Sequence, residues 1–346
     1  MVTEAILRTT VVGSYPQPDW LIDKGVLRGQ LVPRVRTEQM WRIAPEMRAA
    51  AIQDAALVAI RAMETAGIDV ITDGETARES YCNHFTAALG GIDGDNPATI
   101  LSRTGHQTRV PRVVGPIRHQ QAIEVESAKF LRAHTDRRAK ITLPGPFTLA
   151  QQAKDEHYHD IAAMAFDFAI AINQEARALE ATGIDVIQLD EPWLRNDPDG
   201  ARRYGLQTIN RALQGLTVRT AVHVCFGYAF LRRGQKSNSY EFLAELSDSV
   251  ADEISVEAAQ PSLDLGILAD LSGKTVALGV LDHSTAEAEP VEVVARRIRA
   301  ALAHLPPDRL MPAPDCGMKY MTREVAFGRL RNLSEAAARM RQELTR

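Results

Sequence analysis

Short β-branched and apolar runs alternate with longer stretches of helical spacing along most of the chain. The first run, residues 9–14 (TTVVGS), is closed by Gly13 and reads as strand one, followed by a loop with Pro16 and Pro18. Residues 45–66 carry Ala, Ile, Leu and Met at helical spacing, and Pro45 suits a first helical turn. Residues 69–74 (DVITDG) read as strand two. The stretch from Glu75 to Arg118 is polar, glycine-bearing and too long for a structureless loop, so it predicts a hairpin or short helices over one end of the fold. A helical pattern resumes over residues 121–134. Strands three to eight follow at 140–145, 185–190, 219–225, 253–257, 275–281 and 310–314. Helical patterns separate them at 161–182, 202–213, 240–250, 263–271 and 290–303, and a helical tail covers 322–343.

Strands alternating with helices imply parallel pairing through crossover helices. Eight repeats predict an α/β chain closed into a (β/α)8 TIM barrel, one domain over residues 1–346 with an insertion after strand two. An open, doubly wound sheet is the competing layout, but no Gly-x-Gly-x-x-Gly follows strand one.

Composition narrows the function classes. A 346-residue chain that is 45% hydrophobic and 24% charged has enough apolar surface for one large core. A net charge of -4 without a long basic run gives no nucleic-acid groove and no membrane-binding surface. No apolar run approaches the ~18 residues of a membrane span. Residues 1–8 lack the apolar core of a signal peptide, so a cytoplasmic location is expected. The three cysteines, Cys82, Cys225 and Cys316, are too few and odd in number for a disulfide framework.

A barrel carries its site at the carboxyl ends of its strands. The residues collected there are Ser14, Asp73, Glu75, Asp190, Glu191, His223, Cys225, Glu257, Asp282, His283, Asp315 and Cys316. His223 and Cys225 stand two apart on one strand, so imidazole and thiol share a face. Taken singly, a buried Cys is more often core filler and a strand-end His more often a hydrogen-bonded rim residue. Taken together, His223, Cys225, Glu257 and Cys316 compose a tetrahedral zinc set from strands five, six and eight. Two thiolates, a carboxylate and an imidazole leave a formal charge of about -1 around a divalent cation. So electron-rich a site suits lowering the pKa of an incoming thiol better than activating water. Glu257 is the ligand able to leave when substrate sulfur arrives.

These motifs resemble the C-terminal catalytic half of the cobalamin-independent methionine synthase family and its single-barrel relatives. The matching stretches are residues 9–16 (TTVVGSYP), Asp73-Gly74-Glu75, residues 188–192 (QLDEP), His223-Val224-Cys225, residues 254–257 (ISVE), residues 279–282 (GVLD) and residues 314–317 (PDCG). The resemblance implies a zinc-dependent S-methyltransferase that activates homocysteine for attack on a methyl donor, giving methionine. It implies that Glu75 and Asp190 hold the substrate ammonium and that the backbone near Gly13 and Ser14 receives its carboxylate. It also implies catalytic roles for Asp190 and for a proton-relay histidine. In the family that histidine lies two residues after the strand-seven aspartate. Here His283 follows Asp282 directly and Ser284 stands in the usual place. The chain has room for one barrel where the full-length enzyme has two, so methyl-folate and methyl-corrinoid both stand as donors, and the oligomeric state stays open.

The alternative reading is a zinc thiol-alkyltransferase for another thiol or electrophile, similar to epoxide:thiol transferases. A sulfonate-bearing thiol would call on Arg78, Arg232, Arg233 or Lys319. A metal-free uroporphyrinogen-decarboxylase-like barrel leaves the two cysteines and Glu257 unexplained. A non-catalytic zinc-binding barrel leaves Glu75 and Asp190 unexplained.

Overall fold

The computed structural model describes residues 6–29, 35–101, 107–227 and 240–346. Arg232, Arg233 and the bend expected at 228–235 lie outside them. In chain order the first elements are α1 (Lys24–Gly29), α2 (Pro45–Thr65), β1 (Val70–Ile71), α3 (Asn83–Thr86), β2 (Gly90–Leu101) and β3 (Gln107–Arg118). Then come α4 (Val125–Ala133), β4 (Arg138–Pro144), α5 (Pro146–Gln151), β5 (Lys154–Asp155), α6 (Ile161–Glu180) and β6 (Val186–Asp190). The last are α7 (Pro198–Gly200), α8 (Leu206–Leu213), β7 (Arg219–Val224), β8 (Glu253–Val256), β9 (Thr275–Leu281), α9 (Val291–Ala301), β10 (Leu310–Pro314) and α10 (Arg323–Leu344).

Among the described residues, β1-β4-β6-β7-β8-β9-β10 form one curled parallel sheet in that order. Helices cover it, as parallel pairing requires. The longest, α6, is capped by Asp160, whose carboxylate accepts the N–H groups of Ala162 and Ala163. It buries Met164, Phe168, Ile172 and Leu179, each worth about 1.5–3 kcal/mol on burial. Thr322 caps α10 through the Val325 N–H. Among the described residues no helix is long and apolar enough to cross a membrane.

The segment expected to be strand one is not a regular strand. Thr10 makes a single parallel bridge to Val70 of β1, and its N–H donates to the Pro312 carbonyl of β10 at 3.1 Å. The segment therefore lies between the two edge strands of the sheet. It lacks a ladder because the Thr9 N–H and hydroxyl turn to the Asp69 carboxylate, at 2.8 and 2.9 Å. The stretch from Glu75 to Arg118 contains α3 and the antiparallel β2–β3 hairpin, which with β5 forms a second, three-stranded sheet. Helices expected at 240–250 and 263–271 shrink to 3-10 turns at Ala244–Asp248 and Leu265–Asp270. Ser249 closes the first turn by donating to the Leu246 carbonyl, a local side-chain bond that competes with helix propagation.

Candidate active site

Along β7 and just past it, Ala221, His223 and Cys225 alternate onto one face. In register, His223 stands opposite Asp190 on β6 and opposite Ser255 on β8. Its Nδ1 lies 2.8 Å from the Ser255 hydroxyl. Its Nε2 is buried and has no hydrogen-bond partner among the described residues. The Cys225 and Cys316 sulfurs are 3.9 Å apart, and the ligand atoms of His223, Cys225 and Cys316 all lie within 4.8 Å of one another. Burial pulls the His223 pKa down, but the Cys225 thiol and then Asp190 outweigh it and raise the value. Buried nitrogens rarely go without a partner. An orphaned imidazole nitrogen beside two sulfurs, with the other nitrogen fixed by a hydroxyl, fits a thiophilic cation.

Glu257 falls outside that close trio. Its carboxylate is fully buried and accepts the Phe226 N–H at 2.8 Å, one residue beyond Cys225. The Tyr240 phenol bridges the same strand ends. It accepts the Glu257 N–H at 3.1 Å and lies 3.0 Å from the Glu257 carbonyl and 3.3 Å from the Val224 carbonyl. Asp315 is a clamp: its carboxylate accepts the N–H groups of Ala258, Ala259 and Gln260, fixing the loop after Glu257 beside Cys316. A Cβ at Gly279 would collide with that carboxylate.

One carboxylate adjoins the trio and a second lies on the same rim. Asp190 closes β6, and burial pushes its pKa up to about 7, against the pull of His223. Its Oδ1 accepts from Gln188 Nε2 at 2.8 Å. Glu75 sits at φ 53 directly after Gly74 at φ 73, two successive left-handed residues. Such strain in a non-glycine residue marks a position over-determined by its surroundings. Glu75 Oε1 accepts from the Thr142 hydroxyl at 3.0 Å and packs so close to Gly13 that a Cβ there would collide with it. The Ser14 hydroxyl is buried and unpartnered among the described residues. Gly13, Ser14, Glu75 and Asp190 thus lie on the same end of the sheet as the sulfurs.

Other rim residues have structural tasks. Glu191 caps α5, accepting the N–H groups of Phe147 and Thr148 at 3.0 and 2.8 Å, with its pKa pushed up to about 7 by burial. Asp73 and Asp282 close local turns by accepting the N–H groups of Glu75 and Ser284. His283 is tied to the metal-capable cluster. Arg329 Nη1 lies 3.0 Å from its Nδ1 and can only donate, so Nδ1 accepts and the proton sits on Nε2, which donates to the Cys316 carbonyl at 2.9 Å. Arg78 is buried, ion-paired with Glu124 at 2.9 Å and donating to the Thr142 hydroxyl at 2.8 Å. Lys319 is buried and donates to the Arg78 carbonyl.

Sequence reasoning missed the supports. Ser255 was visible as a hydroxyl in an apolar strand, and it pairs directly with His223 in register. Tyr240, Thr142 and Arg329 carried no local signal, because each acts on residues far away in the chain.

A parallel α/β sheet with an imidazole, two thiols and paired carboxylates on its carboxyl rim defines an α/β enzyme class built to handle sulfur at a metal-capable centre. Within that class the chain belongs to the family described as "Cobalamin-independent synthase, Catalytic domain", which matches residues 7–339. The methionine synthase of Pyrococcus abyssi is 31% identical over 342 residues, covering 98% of this chain and 94% of the relative. That of Saccharolobus solfataricus is 29% identical over 350 residues, covering 99% and 97%. The structure of a B12-independent methionine synthase from Shewanella sp. W3-18-1, in complex with selenomethionine, matches with a TM-score of 0.89 at 33% identity over 99% of each chain.

Proposed function

We propose that the chain is a zinc-dependent S-methyltransferase that converts homocysteine to methionine. The observation that carries this reading is the buried His223 Nε2, without a hydrogen-bond partner among the described residues, in a close trio with the Cys225 and Cys316 sulfurs. His223, Cys225 and Cys316 would hold zinc, with Glu257 as the exchangeable fourth ligand. Bound there, zinc would supply a Lewis acid that lowers the pKa of the substrate thiol. The selenomethionine held by the Shewanella relative, a product analogue in selenium form, supports the same substrate class.

The chain's own residues do the rest. Asp190 and Glu75 accept the substrate ammonium, and Ser14 with the backbone at Gly13 receives its carboxylate. The acceptors and donors at opposite ends hold a zwitterion with its sulfur toward the thiol cluster. The thiol gives its proton to solvent before attack; the sulfur–methyl bond then forms as the donor–methyl bond breaks. His283 is the proton relay in this reading. It carries a proton on Nε2, resting on the Cys316 carbonyl, that it can give to the departing donor group.

The same reading takes residues 1–346 as one domain. The segment around Thr10, bonded to both sheet edges, closes a (β/α)8 barrel, and the β2–β3 hairpin is an insertion after its second strand. Cytoplasmic conditions would keep Cys82, Cys225 and Cys316 as the thiols they are here. A sulfonate-bearing thiol has weaker support, since Arg78 and Lys319 are engaged inside the protein. The test is methionine formation from homocysteine with methyl-folate and with methyl-corrinoid donors. Product is expected with one of them and lost in Cys316→Ser; no product with either contradicts the proposal.

A further inference from the structure

Below Asp190 the interior of the sheet is polar. Lys140 on β4 is buried, and its ammonium donates to Gln188 Oε1 at 2.8 Å and to the Val11 carbonyl. An ammonium has only donors, so the Gln188 oxygen must face Lys140 and its NH2 must face the other way. That NH2 donates to Asp190 Oδ1 at 2.8 Å and to the Val12 carbonyl at 3.1 Å. The chain of donors runs one way, from Lys140 through Gln188 to Asp190. It also ties down Val11 and Val12, which lead directly into Gly13 and Ser14.

We propose that Lys140 is a positioning residue: by fixing the Gln188 amide, it turns Asp190 so that one oxygen is occupied and the other faces the substrate ammonium. Without Lys140, the amide can rotate and place its oxygen against the Asp190 carboxylate, which would push the carboxylate out of line. Burial lowers the Lys140 pKa only to about 8, with Glu253, Asp190 and Glu75 holding it up, so the group is a cation at neutral pH. This inference rests on the assignment of Asp190 as an ammonium acceptor.

The test compares homocysteine with 4-sulfanylbutanoate, the same thiol lacking the ammonium, in Lys140→Met. Zinc content and thermal unfolding are recorded alongside. For homocysteine, KM rises about tenfold, the loss of one charge-assisted hydrogen bond's alignment, while kcat at saturation holds within about twofold. For 4-sulfanylbutanoate, KM stays within about twofold of the wild-type value. Because Lys140→Met strands the Gln188 oxygen, the double variant Lys140→Met/Gln188→Met is measured too; replacing both partners leaves no orphaned group between them and favours folding. It should show the same homocysteine-specific rise. An equal rise for both thiols, or none for homocysteine, overturns the role of Lys140. A wild-type enzyme that binds the two thiols equally well overturns the ammonium assignment of Asp190, and the positioning role with it.

Discussion

His223 shows how a single side chain is prepared. Ser255 occupies Nδ1 at 2.8 Å and leaves Nε2 buried, unpartnered among the described residues, in a close trio with two sulfurs. Cys225→Ser or Cys316→Ser is therefore expected to lose most stoichiometric zinc, measured by elemental analysis of the purified protein. Cys82→Ser should retain it. The Cys82 thiol is pushed up to about 12 by burial and donates to the Gln152 oxygen at 2.9 Å, away from the trio. Retention of metal in the first two variants, or its loss in the third, would remove the ligand assignment. At Gly13 the constraint is spatial, since a Cβ would displace the Glu75 carboxylate. Gly13→Ala should raise the homocysteine KM by about tenfold with zinc content unchanged, consistent with a misplaced charge-assisted bond. His223 and Cys225 were legible in the sequence because strand alternation puts them on one face, and Cys316 because it stands at the carboxyl end of another strand. Asp315 was legible as a rim acid but not as a clamp, because its partners are backbone N–H groups that no residue pattern announces.

At the scale of elements, strand–helix alternation was readable wherever period and caps agreed. Residues 45–66 became α2 and residues 275–281 became β9 almost unchanged. Where they disagreed, tertiary contacts decided. The run expected as strand one exchanged ladder bonds for the Asp69 side chain, and the expected helix at 240–250 gave way to the Tyr240 bridge and a 3-10 turn. Glu191 was read as a rim acid but belongs to α5, capping it with two backbone bonds from inside the protein. Its pKa rises from 4.5 unfolded to about 7 folded, chiefly through burial. Below about 4.5 the group is protonated in both states and its contribution to stability is whole; that contribution is lost as pH rises through about 7. Urea unfolding between those pH values should show wild-type stability falling relative to Glu191→Gln; parallel curves would contradict the shift. In the same turn Gly145 has no room for a side chain, since a Cβ would strike the Glu191 carboxyl. Gly145→Ala should cost about 1–3 kcal/mol of stability by overpacking.

For the whole molecule, the site exists only because distant segments converge. Cys225 follows β7, Glu257 follows β8 and Cys316 follows β10, while Glu75 and Gly13 arrive from the start of the chain. Asp69 helps bind the ends together, accepting from Thr9 and from Arg341 of α10, the latter at 2.8 Å. Leu333 of α10 is fully buried, and Leu333→Ala should cost about 2–5 kcal/mol in urea unfolding with zinc stoichiometry unchanged. Seven of the eight expected parallel strands and the carboxyl rim were legible because alternation and strand-end chemistry repeat along the sequence. The contacts that join first segment to last were not, because each is made once, between residues hundreds of positions apart. In the proposed function these segments assemble one zinc centre that takes up the substrate thiol. Zinc-edge X-ray absorption of the purified enzyme, with and without homocysteine, tests it most directly. Homocysteine should add a sulfur to the zinc shell as an oxygen or nitrogen ligand leaves; a shell unchanged by homocysteine would contradict thiol uptake at the metal.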